Sequence, residues 1–242
     1  MQFFTLSSFV AISSIITNVA AHYAPVNTTG SDPIWSFPYQ LSLNGGALKT
    51  DPSISFVNDT LHSTFNLTDS FTVAGWLRAT GTTDWRTFFA FESNDINTSL
   101  LNFALAPNTM QLYFAYMVDN VVNNRINVFA PVTAPGPNVD FHFALAKDGN
   151  QIYLYLNGVK VFSYTMTAPI YDSPMASRYF AFSVHVYDLL SQKYIILGRT
   201  KFNNVGQAQW EGIIHGVDVF DKALTPFEVG REMALTERAT YV

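Results

Sequence analysis

The segment Gln151-Ile-Tyr-Leu-Tyr-Leu-Asn-Gly-Val-Lys-Val-Phe-Ser-Tyr164 leaves this chain little choice but a β-hairpin. Asn157-Gly158 stands between two alternating runs. A two-residue type I′ turn needs positive φ at both central positions, which Asn and Gly supply most readily. That turn predicts Leu156 opposite Val159, Leu154 opposite Val161 and Ile152 opposite Ser163 on a face that belongs in a core. The other face then carries Tyr155 with Lys160, Tyr153 with Phe162 and Gln151 with Tyr164. It is too aromatic for an ordinary wetted surface and too polar for a core, so a covering loop or a sugar ring would suit it.

The same habit extends along the chain. Short alternating or fully apolar runs predict strands near residues 54–57, 71–79, 86–92, 100–106, 110–118, 126–130, 139–147, 179–187, 194–197 and 212–220, besides the hairpin. Turn-forming clusters such as Gly81-Thr82-Thr83-Asp84 and Ala134-Pro135-Gly136-Pro137 separate them. One helical pattern stands out, residues 225–232, with Thr225 as N-cap, Pro226 at the first position and Glu228 closing a capping box. Its expected task is to cover a sheet end. Strands that follow one another without intervening helices pair antiparallel, because parallel pairs need long crossovers. The expectation is therefore all-β: two packed antiparallel sheets, a β-sandwich or jelly roll, with one short C-terminal helix.

Residues 1–21 read as a signal peptide. A weakly apolar run from Phe9 to Ile16 is followed by Thr17-Asn18 and the small residues Val19-Ala20-Ala21, although no Lys or Arg precedes it. Residues 22–242 are then expected to form a single domain. No later run reaches about 18 uninterrupted apolar residues, so no membrane span is expected and the protein reads as secreted or extracellular. The chain has no cysteine, and the core must be sufficient without disulfides; 21 Phe and 12 Tyr meet that demand. A net charge of −5, with 13% charged residues and no basic run, argues against nucleic acid as a partner. Four Asn-x-Ser/Thr sequons, at Asn27, Asn58, Asn66 and Asn97, are expected to carry glycans if the chain is secreted by a eukaryotic cell.

The order of the segments carries a family resemblance. Phe71-Thr-Val-Ala-Gly-Trp76-Leu, Phe141-His-Phe-Ala-Leu-Ala-Lys147 followed by the hairpin, Ile196-Leu-Gly-Arg199, and Trp210-Glu-Gly-Ile-Ile-His-Gly-Val-Asp-Val-Phe-Asp-Lys-Ala-Leu-Thr-Pro-Phe-Glu228 stand in succession between about residues 33 and 233. Together they resemble a laminin G-like jelly-roll domain of the concanavalin A-like lectin and glucanase superfamily. That resemblance implies a concanavalin A-like sandwich whose relatives bind glycans or proteins, sometimes with calcium. Where such closing strands usually show two acids, this chain has His215-Gly216, so a role for those acids does not transfer.

Catalysis finds no linear signal. Glycoside hydrolysis needs two carboxyl groups at a set separation, and on a strand that would appear as acid-x-acid, which is absent. A pair assembled from different strands stays open. The five histidines are far apart, and no H-E-x-x-H or G-x-S-x-G motif occurs. His22 would become the amino terminus after cleavage behind Ala21, where amine and imidazole suit Cu(II), but a match this short is expected to be coincidence. Calcium takes hard oxygen ligands, which makes Glu92 and Asp95 of one loop and Asp119 of another the candidates, against the alternative of ordinary solvated turns.

Alternation also predicts a polar sheet face. Asn102, Gln111, Tyr113, Arg125, Asn127 and His185 all point away from their strands' aliphatic residues, and aromatic rings among amides and a guanidinium suit a sugar. With Tyr153 and Tyr155 of the hairpin they form the candidate ligand-binding set. The expectation is a secreted, non-catalytic recognition module for a glycan or an extracellular protein, with calcium as the one cofactor to consider. A glycoside hydrolase or polysaccharide lyase on the same fold, and a structural or adhesion protein without sugar affinity, are the alternatives. The oligomeric state stays open.

Overall fold

The computed structural model describes residues 33–44, 66–93, 99–121, 124–172, 193–198, 200–202, 205–207 and 210–238. The expected strands at 54–57 and 179–187 and the expected signal peptide lie outside them.

Thirteen strands and one helix are formed by the described residues: β1 Trp35–Asn44, β2 Phe71–Ala79, β3 Arg86–Ser93, β4 Leu101–Leu105, β5 Gln111–Met117, β6 Arg125–Thr133, β7 Phe141–Asp148, β8 Gln151–Leu156, β9 Val159–Thr165, β10 Lys193–Leu197, β11 Thr200–Phe202, β12 Val205–Gln207, β13 Glu211–Phe220 and α1 Pro226–Arg238. A six-stranded sheet runs β1-β13-β2-β7-β8-β9 and a five-stranded sheet β10-β3-β4-β5-β6, while β11 and β12 pair with each other alone. All pairs are antiparallel. Strands β1, β11 and β12 were not foreseen: β1 alternates but carries Pro38, which argues against a strand, and β11 and β12 have three residues each, too few to show a period.

The two sheets bury one face each against the other. Phe143 of β7 stacks on Phe103 of β4 with ring centroids 3.9 Å apart and meets Phe88 of β3 edge-on at 5.7 Å. Phe71 of β2 meets Phe91 of β3 at 5.7 Å, also edge-on. Leu77, Leu101, Leu105, Leu112, Leu145, Leu154 and Ile214 fill the remaining space of the same buried cluster. Rings offset or edge-on in this way gain about 0.5–1.5 kcal/mol per pair beyond simple burial.

The hairpin forms as the turn chemistry dictates, with φ of 47° at Asn157 and 75° at Gly158. Asn157 also ties the turn to the neighbouring strand, its Oδ1 accepting from the His142 amide at 2.9 Å. The pairing departs from expectation after Lys160. Leu156 opposes Val159 and Tyr155 opposes Lys160, but Leu154 opposes Phe162, Tyr153 opposes Ser163 and Ile152 opposes Tyr164. Val161 is an extra residue, a β-bulge, and one added residue exchanges the faces of everything beyond it. Phe162 and Tyr164 consequently pack against the inter-sheet core.

A second bulge sits in β13, where His215 pairs with Trp76 and Asp218 with Ala74, so that two residues face Gly75 alone. Gly216 holds φ of 55° there, the left-handed conformation such a bulge requires. The capping box of α1 is made: Thr225 Oγ1 accepts from the Glu228 amide at 3.3 Å, and Glu228 Oε2 accepts from the Thr225 amide at 2.8 Å. The helix runs longer than expected. It also lies on the outer face of the six-stranded sheet rather than across a sheet end, with Leu224 and Val229 packed on Ala74, Ala144, Ala146, Tyr155 and Phe220.

Two glycines separate the effects of conformation and space. Gly149 and Gly212 have φ of 55° and 134°, but a Cβ at Gly149 meets nothing within 4 Å, whereas one at Gly212 would lie 1.9 Å from the Arg78 carbonyl oxygen. Gly149→Ala is expected to cost about 1–2 kcal/mol in urea unfolding, the left-handed penalty alone. Gly212→Ala should cost clearly more, since β2 and β13 must separate to admit it.

Candidate functional site

The two outer faces differ. On the five-stranded sheet the outward positions form two cross-strand rows: Asn102, Ala115 and Asn127 in one, and Ala104, Tyr113 and Phe129 in the next. Rows of this kind lie about 7 Å apart. Ala104 and Ala115 are buried beside Tyr113 and make a low floor. Over that floor Arg125 of β6 reaches Asn102 of β4, its Nη2 donating to Asn102 Oδ1. A longer side chain at Ala115 would stand in its way. Arg125 Nε has no partner.

Tyr113 is held from the other side. Its hydroxyl donates to Asn127 Oδ1 at 2.6 Å. Burial pushes the Tyr113 phenol up, opposed by the charge of Arg125; burial likewise lowers Arg125, opposed by Tyr113. Gln111 Nε2 donates to the Ala130 carbonyl at 2.7 Å, which fixes its amide at the end of the face.

An aromatic group completes the surface. Trp85, just before β3, meets Tyr113 at 4.7 Å between ring centroids and Phe129 at 6.0 Å, and Tyr113 meets Phe129 at 5.0 Å. Trp85 is 36% exposed and Phe129 50% exposed, so both rings present surface to solvent. Neither was foreseen. Phe129 had a signal, since it alternates with Arg125 and Asn127 on one strand. Trp85 follows a turn, where alternation assigns no face.

The structure thus brings Asn102, Gln111, Tyr113, Arg125 and Asn127 together on one sheet face. His185 lies outside the described residues. Tyr153 and Tyr155 are on the opposite sheet. Tyr155 is only 2% exposed because α1 covers it, so it is not part of an open surface, and Lys160 Nζ lies 5.2 Å from the Tyr153 ring centre. Of the calcium candidates, Asp95 lies outside the described residues. Glu92 is buried and accepts from Ser99 Oγ at 3.2 Å. Asp119 closes its own turn, accepting from the Val121 amide at 2.8 Å and Asn124 Nδ2 at 2.7 Å. Among the described residues no three His, Cys, Asp or Glu side chains are grouped to hold a metal ion. Asn66 is in a turn, where its Oδ1 accepts from the Thr68 amide at 2.9 Å and the Thr68 hydroxyl at 2.8 Å; Asn27, Asn58 and Asn97 lie outside the described residues.

Two carboxyl groups are neighbours across elements, Asp218 of β13 and Glu232 of α1, and the proximity raises the proton affinity of Glu232. They are under the helix, on the sheet opposite the aromatic face.

A family model described as concanavalin A-like lectin/glucanases superfamily, of the laminin G type, matches residues 49–230. The chain belongs to this superfamily. No curated protein matches it. Among solved structures, the CBM40 of Ruminococcus gnavus IT-sialidase bound to α2,3 sialyllactose has the same fold, with a TM-score of 0.57 at 14% identity over 85% of this chain and 100% of that one. The same CBM40 bound to α2,6 sialyllactose gives 0.57 at 13% identity over 84% and 100%. The leech intramolecular trans-sialidase complexed with 2,7-anhydro-Neu5Ac gives 0.53 at 15% identity over 85% of this chain and 28% of that chain. These likenesses establish the jelly-roll architecture of this superfamily member.

The Arg125–Asn102 contact is structural, with Asn102 only 2% exposed. Asn102→Leu is expected to cost about 1.5–3 kcal/mol in urea unfolding, because a charged donor loses its acceptor, and Tyr113→Phe about 1 kcal/mol.

Proposed function

We propose that this protein is a secreted carbohydrate-recognition module that binds a glycan on the outer face of the five-stranded sheet. The observation that carries the reading is the exposure of Trp85 and Phe129 around Tyr113, directly beside Arg125 and Asn127. Sugars expose C–H faces that pack on aromatic rings and hydroxyls that need fixed polar partners, and this surface supplies both within two adjacent rows. Exposed aromatic rings that touch one another form a contiguous apolar patch, which on a water-facing sheet marks a binding surface. The half-buried guanidinium of Arg125, fixed by Asn102, suits either sugar hydroxyls or the carboxylate of an acidic sugar. The fold shared with CBM40 domains is a further support. Catalysis is not part of the reading, because the Asp218–Glu232 pair lies on the other sheet beneath α1.

The test is a glycan array probed with the purified protein, in calcium and again in chelator, with α2,3- and α2,6-sialyllactose among the glycans. Saturable binding without product release is expected. Trp85→Ala and Arg125→Ala should each weaken the affinity for the selected glycan about tenfold or more, as removal of a central aromatic or arginine contact usually does. Silence toward every glycan in both conditions would overturn the proposal, and unchanged affinity in Trp85→Ala would move the site elsewhere. Loss of binding in chelator would assign calcium a role, with Glu92, Asp95 and Asp119 as the carboxylates to vary first.

A further inference from the structure

The outer face of the six-stranded sheet is closed by α1, and the contact is unusually polar. Glu232 of α1 is 8% exposed. Its Oε1 is buried without a hydrogen-bond partner, and the Asp218 carboxyl of β13 is a near neighbour whose charge bears on it. One turn on, Thr236 Oγ1 donates to the Glu232 carbonyl at 3.0 Å and accepts from Trp76 Nε1 of β2, also at 3.0 Å. Trp76 stacks on His215 of β13 at 6.0 Å with 9° between ring planes, and meets His142 of β7 edge-on at 5.5 Å. Both ring nitrogens of His142 are without a partner. Arg78 of β2 is paired with Asp140, and Lys222 with Glu228 at 2.7 Å. Arg231, Glu237 and Arg238 complete the charged groups of the helix, and Tyr155 of β8 lies under it.

Two neighbouring carboxyl groups in a buried contact disfavour double ionisation, since like charges repel and neither is well hydrated. We propose that α1 is a proton-latched cap, in which a proton held between Asp218 and Glu232 fastens the helix to the sheet and its loss in alkaline solution lifts α1 off Trp76, His142 and His215. The proton belongs to Glu232, whose affinity is raised by burial first and by the neighbouring Asp218 charge second. Burial also raises Asp218.

The direction follows from linkage. The docked helix holds a proton that an undocked, hydrated glutamate would release, so the contribution of this pair to docking is fully present in acid. It weakens as pH rises from the ordinary glutamate range to the raised value in the docked state. The histidines oppose this only in acid. Burial and the nearby His215 push His142 down to about 3, and burial lowers His215, so both are neutral when covered and favour opening only below their ordinary range near pH 6.5. Tyr155 is raised by burial and would favour opening only above its ordinary value of 10.0. Between neutrality and about pH 9.5 the carboxyl pair therefore governs the contact.

Hydrogen exchange on the full chain at pH 6.5 to 9.5, corrected for intrinsic amide rates, tests this. The α1 amides are expected to lose protection by as much as about tenfold per pH unit, while those of β2, β7 and β13 keep theirs. Glu232→Gln retains a donor for Asp218 and cannot titrate, so its α1 protection should be independent of pH. Asp218→Asn removes the neighbouring charge and offers an ionised Glu232 a donor, so although Glu232 stays buried the slope should be reduced, which covers the case that the first variant fails to fold. Glu228→Gln loosens the capping box and should lower α1 protection without changing the slope. A flat profile in the natural protein, an undiminished slope in both Glu232→Gln and Asp218→Asn, or strands losing protection in step with α1 would each overturn the proposal.

Discussion

Everything in this protein rests on a layer of phenylalanine rings between two sheets. A chain without cysteine has no covalent means of holding a sandwich together, and the stacked contact of Phe143 on Phe103 and the edge contacts of Phe88 and Phe71 take that role. Each ring comes from the inward position of an antiparallel strand. Alternation then sends every second residue outward, so the core determines which side chains the two outer faces can show. The bulges at Val161 and at Gly216-Val217 are adjustments to that same layer, for they return Phe162 and Val217 to the inside.

The two outer faces illustrate two treatments of a half-polar sheet. On the five-stranded sheet the small residues Ala104 and Ala115 keep the surface low, and Arg125 and Tyr113 extend along it toward amide partners. Trp85 and Phe129 remain partly in water. On the six-stranded sheet the outward residues include Ala74, Ala144, Ala146 and Tyr155, an apolar area large enough to need a cover. The helix supplies it; Trp76 and Thr236 bond to each other at its edge, while Glu232 Oε1 and both His142 ring nitrogens are buried without a partner. The same alternation thus yields an open face where polar groups can reach solvent and a capped one where they cannot.

Much of the fold was legible because strand periodicity and turn chemistry are local. Positive φ at Asn157 and Gly158, the Thr225 cap and most strand positions follow from residues within a few places of one another. The candidate site was legible in part. Gln111 and Tyr113, or Arg125 and Asn127, can be put on one side of one strand by counting in twos. Whether neighbouring strands bring them together depends on pairing order. Trp85 escaped notice because a residue after a turn has no periodic face, and Tyr155 was misplaced because counting cannot show that a helix some seventy residues later will cover it.

By itself the sequence determined an all-β chain with a cysteine-free aromatic core, a tight hairpin and a capped C-terminal helix, since each is set by interactions between near neighbours. Tertiary structure alone decided which of the two polar faces is open. It also placed Arg125 over Ala115 against Asn102 and buried Glu232 near Asp218. The physical reason is that burial and charge pairing are properties of packed surfaces. A one-residue bulge or the path of one helix changes them without altering any local preference that can be read along the chain.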